Sequence, residues 1–139
     1  GFSMGGFRAW QLAALSEKVA ATAVISWFGT YEGLMTPGNN VLRGQSAFYM
    51  LHPGMPAKMD IPDIASIAAP KPMLIFSGGQ DKLFPAKAVD DAFTKVHQVW
   101  TSQNADEKLL TKSWPELGHV FYQQQQDEVF PWLDKWLKP

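Results

Sequence analysis

Ser3, Asp81 and His119 are the residue types that acyl-transfer chemistry needs, and they follow one another in a meaningful order. A serine hydroxyl attacks a carbonyl only when a base takes its proton, and the base needs a carboxylate to orient it and stabilise its charge. Ser3 lies in Gly1-Phe2-Ser3-Met4-Gly5, a G-x-S-x-G pattern. In that pattern the serine sits on a sharp strand-to-helix turn that lifts Oγ above a sheet. The flanking glycines are expected to leave room where a side chain would clash. A chance match in a chain of this size arises on the order of 5% of the time at average residue usage, so the context decides. Gly6 follows, and then Phe7 to Leu15 runs without a breaker, with Phe7, Trp10, Ala14 and Leu15 near one helical face. A turn followed by a helix is the setting the motif requires.

The other two groups need elements to carry them. Val19 to Trp27 is almost continuously apolar, and so is Pro72 to Phe76, bounded by Pro70 and Gly78-Gly79. Runs apolar on both faces predict buried parallel strands. Lys108 to Trp114 carries more charge and predicts a strand nearer the sheet edge. Pro85 suits the first turn of a helix reaching about Ser102, with Val89, Phe93, Val96 and Trp100 on one face. A last helix is predicted from Phe121 to Leu137, with Phe130, Leu133, Trp136 and Leu137 inward and Pro131 kinking it or starting a new segment. The order of elements is an α/β pattern with a parallel sheet. Asp81 then falls just past the second strand and His119 just past the third. Sites in open α/β sheets form at that end of the strands.

Each of these groups also has a structural reading. Asp81 suits a turn or helix cap before Pro85, and His119 a cap of the last helix. His97 falls inside a helix and reads as a surface residue; His52 reads as structural. Asp60 and Asp63 read as helix starts, Asp90 and Asp91 as a solvated face. Trp10, Trp100, Trp132 and Trp136 fit core positions in helices. Trp27 and Phe28 end a strand near the expected site, where a pocket role and a packing role stay open.

From Phe28 to Ala69 the chain makes a long excursion punctuated by Pro, Gly and Asn, with short helices expected near Gln45–Leu51 and Asp63–Ala68. Connections of this length are usually functional or disordered. It is read as a lid-like or pocket-wall insertion over the strand ends, with Tyr31, Asn39, Asn40 and Arg43 as polar candidates.

The 139 residues carry a formal net charge of -1 and 46% hydrophobic residues, which fits one domain or part of one. No basic patch points to a nucleic acid, and no apolar run approaches the roughly 18 residues of a membrane span. The absence of cysteine excludes disulfides, thiol nucleophiles and Cys-ligated zinc. The three histidines show no metal-ligand spacing, and no metal or cofactor is expected.

Taken together, Gly1-Phe2-Ser3-Met4-Gly5-Gly6, the Pro70-to-Phe76 strand with Gly79-Gln80-Asp81-Lys82-Leu83-Phe84-Pro85, and Gly118-His119 resemble the dienelactone-hydrolase-like α/β-hydrolases. The likeness extends to the acetyl-xylan-esterase-like proteins through Trp10-Gln-Leu-Ala-Ala-Leu, Pro37-Gly-Asn-Asn and Pro62-Asp-Ile-Ala-Ser-Ile-Ala. It covers nearly the whole chain. The resemblance implies the C-terminal part of one α/β-hydrolase domain, the last three strands of an eight-stranded sheet with flanking helices. It implies Ser3, Asp81 and His119 as a catalytic triad and the Met4 N–H as one oxyanion donor. The other donor would belong to an earlier loop, so the isolated chain is expected to be inactive. Trp27, Phe28 and Tyr31 are the substrate-binding candidates, and a periplasmic or secreted location is implied.

The expected activity is a serine esterase acting on short acyl esters, on small molecules or polysaccharide. A prolyl-oligopeptidase-like peptidase shares G-x-S-x-G-G and a similar Asp loop. A non-catalytic carbohydrate-binding module would not bring Ser3, Asp81 and His119 together. The partner expected for the chain is the N-terminal part of the same protein. Without it, one edge of the Val19–Trp27 strand is expected to show unpaired backbone groups.

Overall fold

The computed structural model of the chain describes residues 1–37, 50 and 52–138. Among the described residues eight main elements follow in order: α1 (Met4–Leu15), β1 (Thr22–Ile25), α2 (Tyr31–Leu34), α3 (Ile61–Ala65), β2 (Met73–Gly78), α4 (Ala86–Ser102), β3 (Leu109–Trp114) and α5 (Gln123–Leu137). Short 3-10 turns span Ser66–Ala68 and Asp106–Lys108. The strands form a parallel sheet in the order β1-β2-β3. Thr22 is in register with Met73, and Met73 with Leu109.

Alternation along the strands divides the core. Val24, Met73 and Ile75 face a cluster built with Phe7, Trp10, Val89, Val96 and Trp100 from α1 and α4. Ala23, Ile25, Leu74 and Phe76 face the opposite layer, where Val129 of α5 packs. A side-chain period of two sends neighbouring residues to opposite faces. Both faces are covered, so these strands read as unbroken apolar runs. Met73 to Phe76 are all at 0% exposure, and each such side chain stabilises the fold by about 1.5–3 kcal/mol.

Several sequence expectations shift. β1 is shorter than Val19–Trp27 because Ser26 takes φ 54° and ends the extended run. α5 continues through Pro131 as one element, and no new segment begins there. Its fully buried residues are Gln125 and Val129, with Leu133, as predicted, and Trp132 packed on the same core, whereas Phe130 and Leu137 are more than half exposed. Trp132 and Trp136 are half-buried; Trp10 and Trp100 are core. In α1, Ala13 is buried in place of Leu15. His97 is half-buried, with Nε2 2.8 Å from Thr111 Oγ1.

Within the long excursion, Tyr31, Leu34, Met50, Ile61, Ala65 and Ala68 are buried core residues. Asp60 ties Tyr31 to the start of α3. Its Oδ1 accepts from the Tyr31 and Ile61 N–H groups at 2.7 Å, and its own N–H donates to Asp63 Oδ2 at 2.8 Å. That is a capping box starting α3. Asn39, Asn40, Arg43 and the Gln45–Leu51 helix apart from Met50 lie outside the described residues.

The first residues pair with β1. The Gly1 carbonyl accepts from Ile25 N–H at 2.9 Å, and Ser3 N–H donates to the Ile25 carbonyl at 2.9 Å. Phe2 forms a parallel bridge with Ile25. The outer edge of β1 is therefore partly paired, where the sequence predicted a bare edge.

Candidate active site

Ser3 stands between the Gly1–Phe2 bridge and α1, with φ 52° and ψ −120°. A positive φ is uncommon for a residue with a side chain, and such strain persists only where the surroundings enforce it. Here the enforcement is the pairing of Gly1 and Ser3 with Ile25. A Cβ on Gly1 would stand 2.3 Å from the Gly5 carbonyl carbon and oxygen, so the turn needs glycine at its start. Gly5 differs from expectation: a Cβ there meets nothing within 4 Å. Close approach instead constrains Gly6, whose added Cβ would lie 3.0 Å from the Ile25 carbonyl oxygen.

Serine at a helix start usually caps it, yet the Ser3 side chain makes no cap bond. Its Oγ lies 2.8 Å from His119 Nε2, and His119 Nδ1 lies 2.7 Å from Asp81 Oδ2. A carboxylate only accepts, so Nδ1 carries the proton and donates to Asp81. That leaves the Nε2 lone pair to accept from the Ser3 hydroxyl. Asp81 is held independently, its Oδ1 accepting from Leu83 N–H at 2.9 Å. Its side chain is fully buried while that of His119 is 24% exposed. Asp81 thus fulfils the turn role read from sequence and also reaches the imidazole.

The Met4 N–H opens α1, where no intrahelical acceptor exists, while its neighbours Ser3 N–H and Gly5 N–H are engaged by the Ile25 and Phe2 carbonyls. A helix N-terminus beside the Ser3 hydroxyl favours negative charge there.

The loops bearing Asp81 and His119 are bonded to each other. Gly79 N–H donates to the Trp114 carbonyl at 2.8 Å and Gln80 N–H to the Leu117 carbonyl at 2.9 Å. A Cβ on Gly78 would fall 2.2 Å from the Gly118 carbonyl oxygen and 2.5 Å from that of Leu117. Because both obstacles are backbone, Gly78→Ala is expected to push the loops apart. In the full-length protein it should cost roughly 1–3 kcal/mol of stability and about 10²-fold in turnover. Thermal melts and initial rates measure both; an unchanged melting temperature refutes the close contact.

Trp27, Phe28 and Tyr31, candidates for substrate contact in the sequence, are only 2%, 1% and 3% exposed, and the structure places their side chains in the core. Trp27 donates its indole N–H to Met50 Sδ at 3.1 Å and packs on Phe7 and Phe84. Burial first, and then the Asp60 charge, push the Tyr31 phenol above its ordinary pKa, so it stays neutral.

Sequence reasoning passed over three features. The Phe84 ring lies 6.2 Å from the imidazole at 13°, and the Phe2 ring 5.1 Å away at 43°. Both phenylalanines stand inside the quoted motifs, which was the available signal. Ser26, fully buried, donates N–H to the Phe76 carbonyl at 2.8 Å, with Oγ 3.4 Å from the Val120 carbonyl. Nothing in its composition set it apart from the apolar run it ends.

The sequence profile of the Dienelactone hydrolase family matches residues 1–132. The chain belongs to that family. It is 30% identical over 138 residues to YtaP of Bacillus subtilis (strain 168), a protein named only as a hydrolase, covering 99% of this chain and 44% of that one. A carbohydrate esterase family 15 glucuronoyl esterase from Caldicellulosiruptor kristjansonii superposes with a TM-score of 0.77 at 15% identity, over 99% of this chain and 42% of that one. The glucuronoyl esterase catalytic domain from Hypocrea jecorina gives 0.72 at 15% identity, over 99% and 43%. These likenesses establish the α/β-hydrolase fold. The chain spans less than half the length of these relatives.

Proposed function

We propose that the full-length protein is a serine hydrolase of carboxylic esters, acting on acetyl or other short acyl groups carried by carbohydrate. The observation that carries this reading is the unbroken hydrogen-bond chain from Ser3 Oγ through His119 to buried Asp81, built around a serine held at a strained φ. His119 Nε2 takes the Ser3 proton as Oγ attacks the ester carbonyl. Asp81 holds the imidazole in the tautomer that can accept and stabilises the imidazolium that forms. The Met4 N–H and the start of α1 stabilise the tetrahedral oxyanion. His119 then returns the proton to the leaving alkoxide, and water repeats the sequence on the acyl-enzyme. The second oxyanion donor and the walls of the acyl pocket belong to the rest of the protein, together with the 28–69 excursion as a lid or pocket wall. Burial of Trp27 and Phe28 gives them a packing role, Trp27 directly against Phe84, instead of substrate contact.

The test is a substrate panel on the full-length protein: aryl acetate and butyrate, an acetylated xylo-oligosaccharide, a methyl glucuronate ester, and a peptide anilide. The uronate is included because solved neighbours of the same fold are named glucuronoyl esterases, one of them in complex with such an ester. Turnover of the acetyl esters with negligible anilide cleavage is expected. Preference for the uronate would place the carbohydrate on the acid side of the ester and overturn the acyl assignment. Faster anilide cleavage would favour the peptidase.

A further inference from the structure

We propose that Phe2, the residue just before the serine of the G-x-S-x-G turn, is a positioning residue that holds the His119 imidazole in line. The inference rests on the serine-hydrolase reading above. His119 is 24% exposed at its side chain, so burial alone does not immobilise it. Its two hydrogen bonds, at 2.8 and 2.7 Å, fix the ring nitrogens but resist out-of-plane swing only weakly. Ring contacts supply that resistance. Phe84 lies nearly parallel to the imidazole and is anchored in the core, 2% exposed and packed on Trp27. Phe2 contacts the same imidazole at 5.1 Å and a 43° tilt.

Phe2 is outside both core clusters of the described residues, so the contacts its ring makes are with His119 and Phe121. Its backbone, by contrast, is rigidly placed by the parallel bridge to Ile25. Its ring is braced by Phe121, stacked at 6.4 Å and 17°, and Phe121 packs in turn on Phe130 of α5. A large apolar ring is thus held, on a backbone paired with β1, against the side chain that must stay aligned with two oxygens in succession. The π face of such a ring also suits the imidazolium formed during attack.

The experiment uses the full-length protein with Phe2→Ala, Phe2→Leu and Phe2→Tyr, and Ser3→Ala as control. Two quantities are read: kcat and KM on an aryl acetate, and the rate constant for covalent labelling by a small fluorophosphonate, which reports Ser3 activation with little substrate binding. Phe2→Ala is expected to lower kcat and the labelling rate together by about tenfold, the scale of a small misplacement of the base, with KM within about twofold. Phe2→Tyr should restore both rates; Phe2→Leu, which keeps bulk without a ring, should not. The Tyr–Leu comparison stands even if the alanine variant folds poorly. Unchanged kcat in Phe2→Ala and Phe2→Leu, full activity in Phe2→Leu, or a loss confined to KM overturns the proposal. Turnover and labelling that survive Ser3→Ala overturn the underlying reading instead.

Discussion

Ser3→Ala in the full-length protein is expected to lower kcat on an aryl acetate by roughly 10⁴- to 10⁶-fold, as removal of an activated nucleophile does. The structure gives the reason for so large an effect. The Ser3 hydroxyl makes no cap bond to α1, and its hydrogen bond to His119 is the contact that engages it. The change therefore leaves the helix start without a lost cap, and the melting temperature should stay close to that of the parent. Strain at φ 52° persists with alanine, so activity and stability are predicted to separate. A loss of less than tenfold would exclude Ser3 as the nucleophile.

Asp81→Asn is expected to cost about 10³- to 10⁴-fold in kcat with little change in KM, for a reason of hydrogen-bond polarity. Both Asp81 oxygens accept, one from His119 Nδ1–H and the other from Leu83 N–H. An asparagine offers one acceptor and one donor. If its NH₂ faces the imidazole, the ring takes the other tautomer, and Nε2 donates to Ser3 instead of accepting. If the amide is reversed, its NH₂ meets the Leu83 N–H, donor against donor. The side chain is fully buried, so water does not relieve either conflict. The check is kcat and KM for Asp81→Asn beside Asp81→Glu. A variant retaining more than a tenth of the parental rate would remove Asp81 from its proposed role.

The site was legible in the sequence where its placement follows from chain order and strand ends. β2 and β3 appear at almost their predicted limits, and Asp81 and His119 fall in the loops just beyond them. α4 begins at Ala86, one residue past the predicted first-turn Pro85. Periodicity failed where tertiary environment overrides it. Leu15 and Phe130 satisfy helical spacing yet point outward, while buried Gln125 occupies an inward place on α5 and donates no apolar signal. β1 stops short of Trp27 because Ser26 differs from its neighbours in backbone angle, which composition does not encode. Trp27 and Phe28 lie near the expected mouth in sequence, but their side chains turn into the core. Proximity along the chain gave their location without their direction.

The hydrogen bonds that join the Asp81 and His119 loops have a consequence for the order in which the chain is made. The carboxylate, the imidazole and the bonds between their loops all lie within residues 78–120, whereas the hydroxyl they serve is 116 residues upstream of the histidine. On a ribosome the serine turn emerges first, and the histidine follows after roughly ten seconds at ordinary elongation rates. During that interval the hydroxyl has no base, and any ester it meets is safe from it. If Ser3 is the nucleophile, as proposed, it is thus chemically silent through that part of its synthesis. On the proposed function it becomes reactive only when β3 and the loop after it have docked, a step that couples the onset of chemistry to assembly of the β1-β2-β3 sheet.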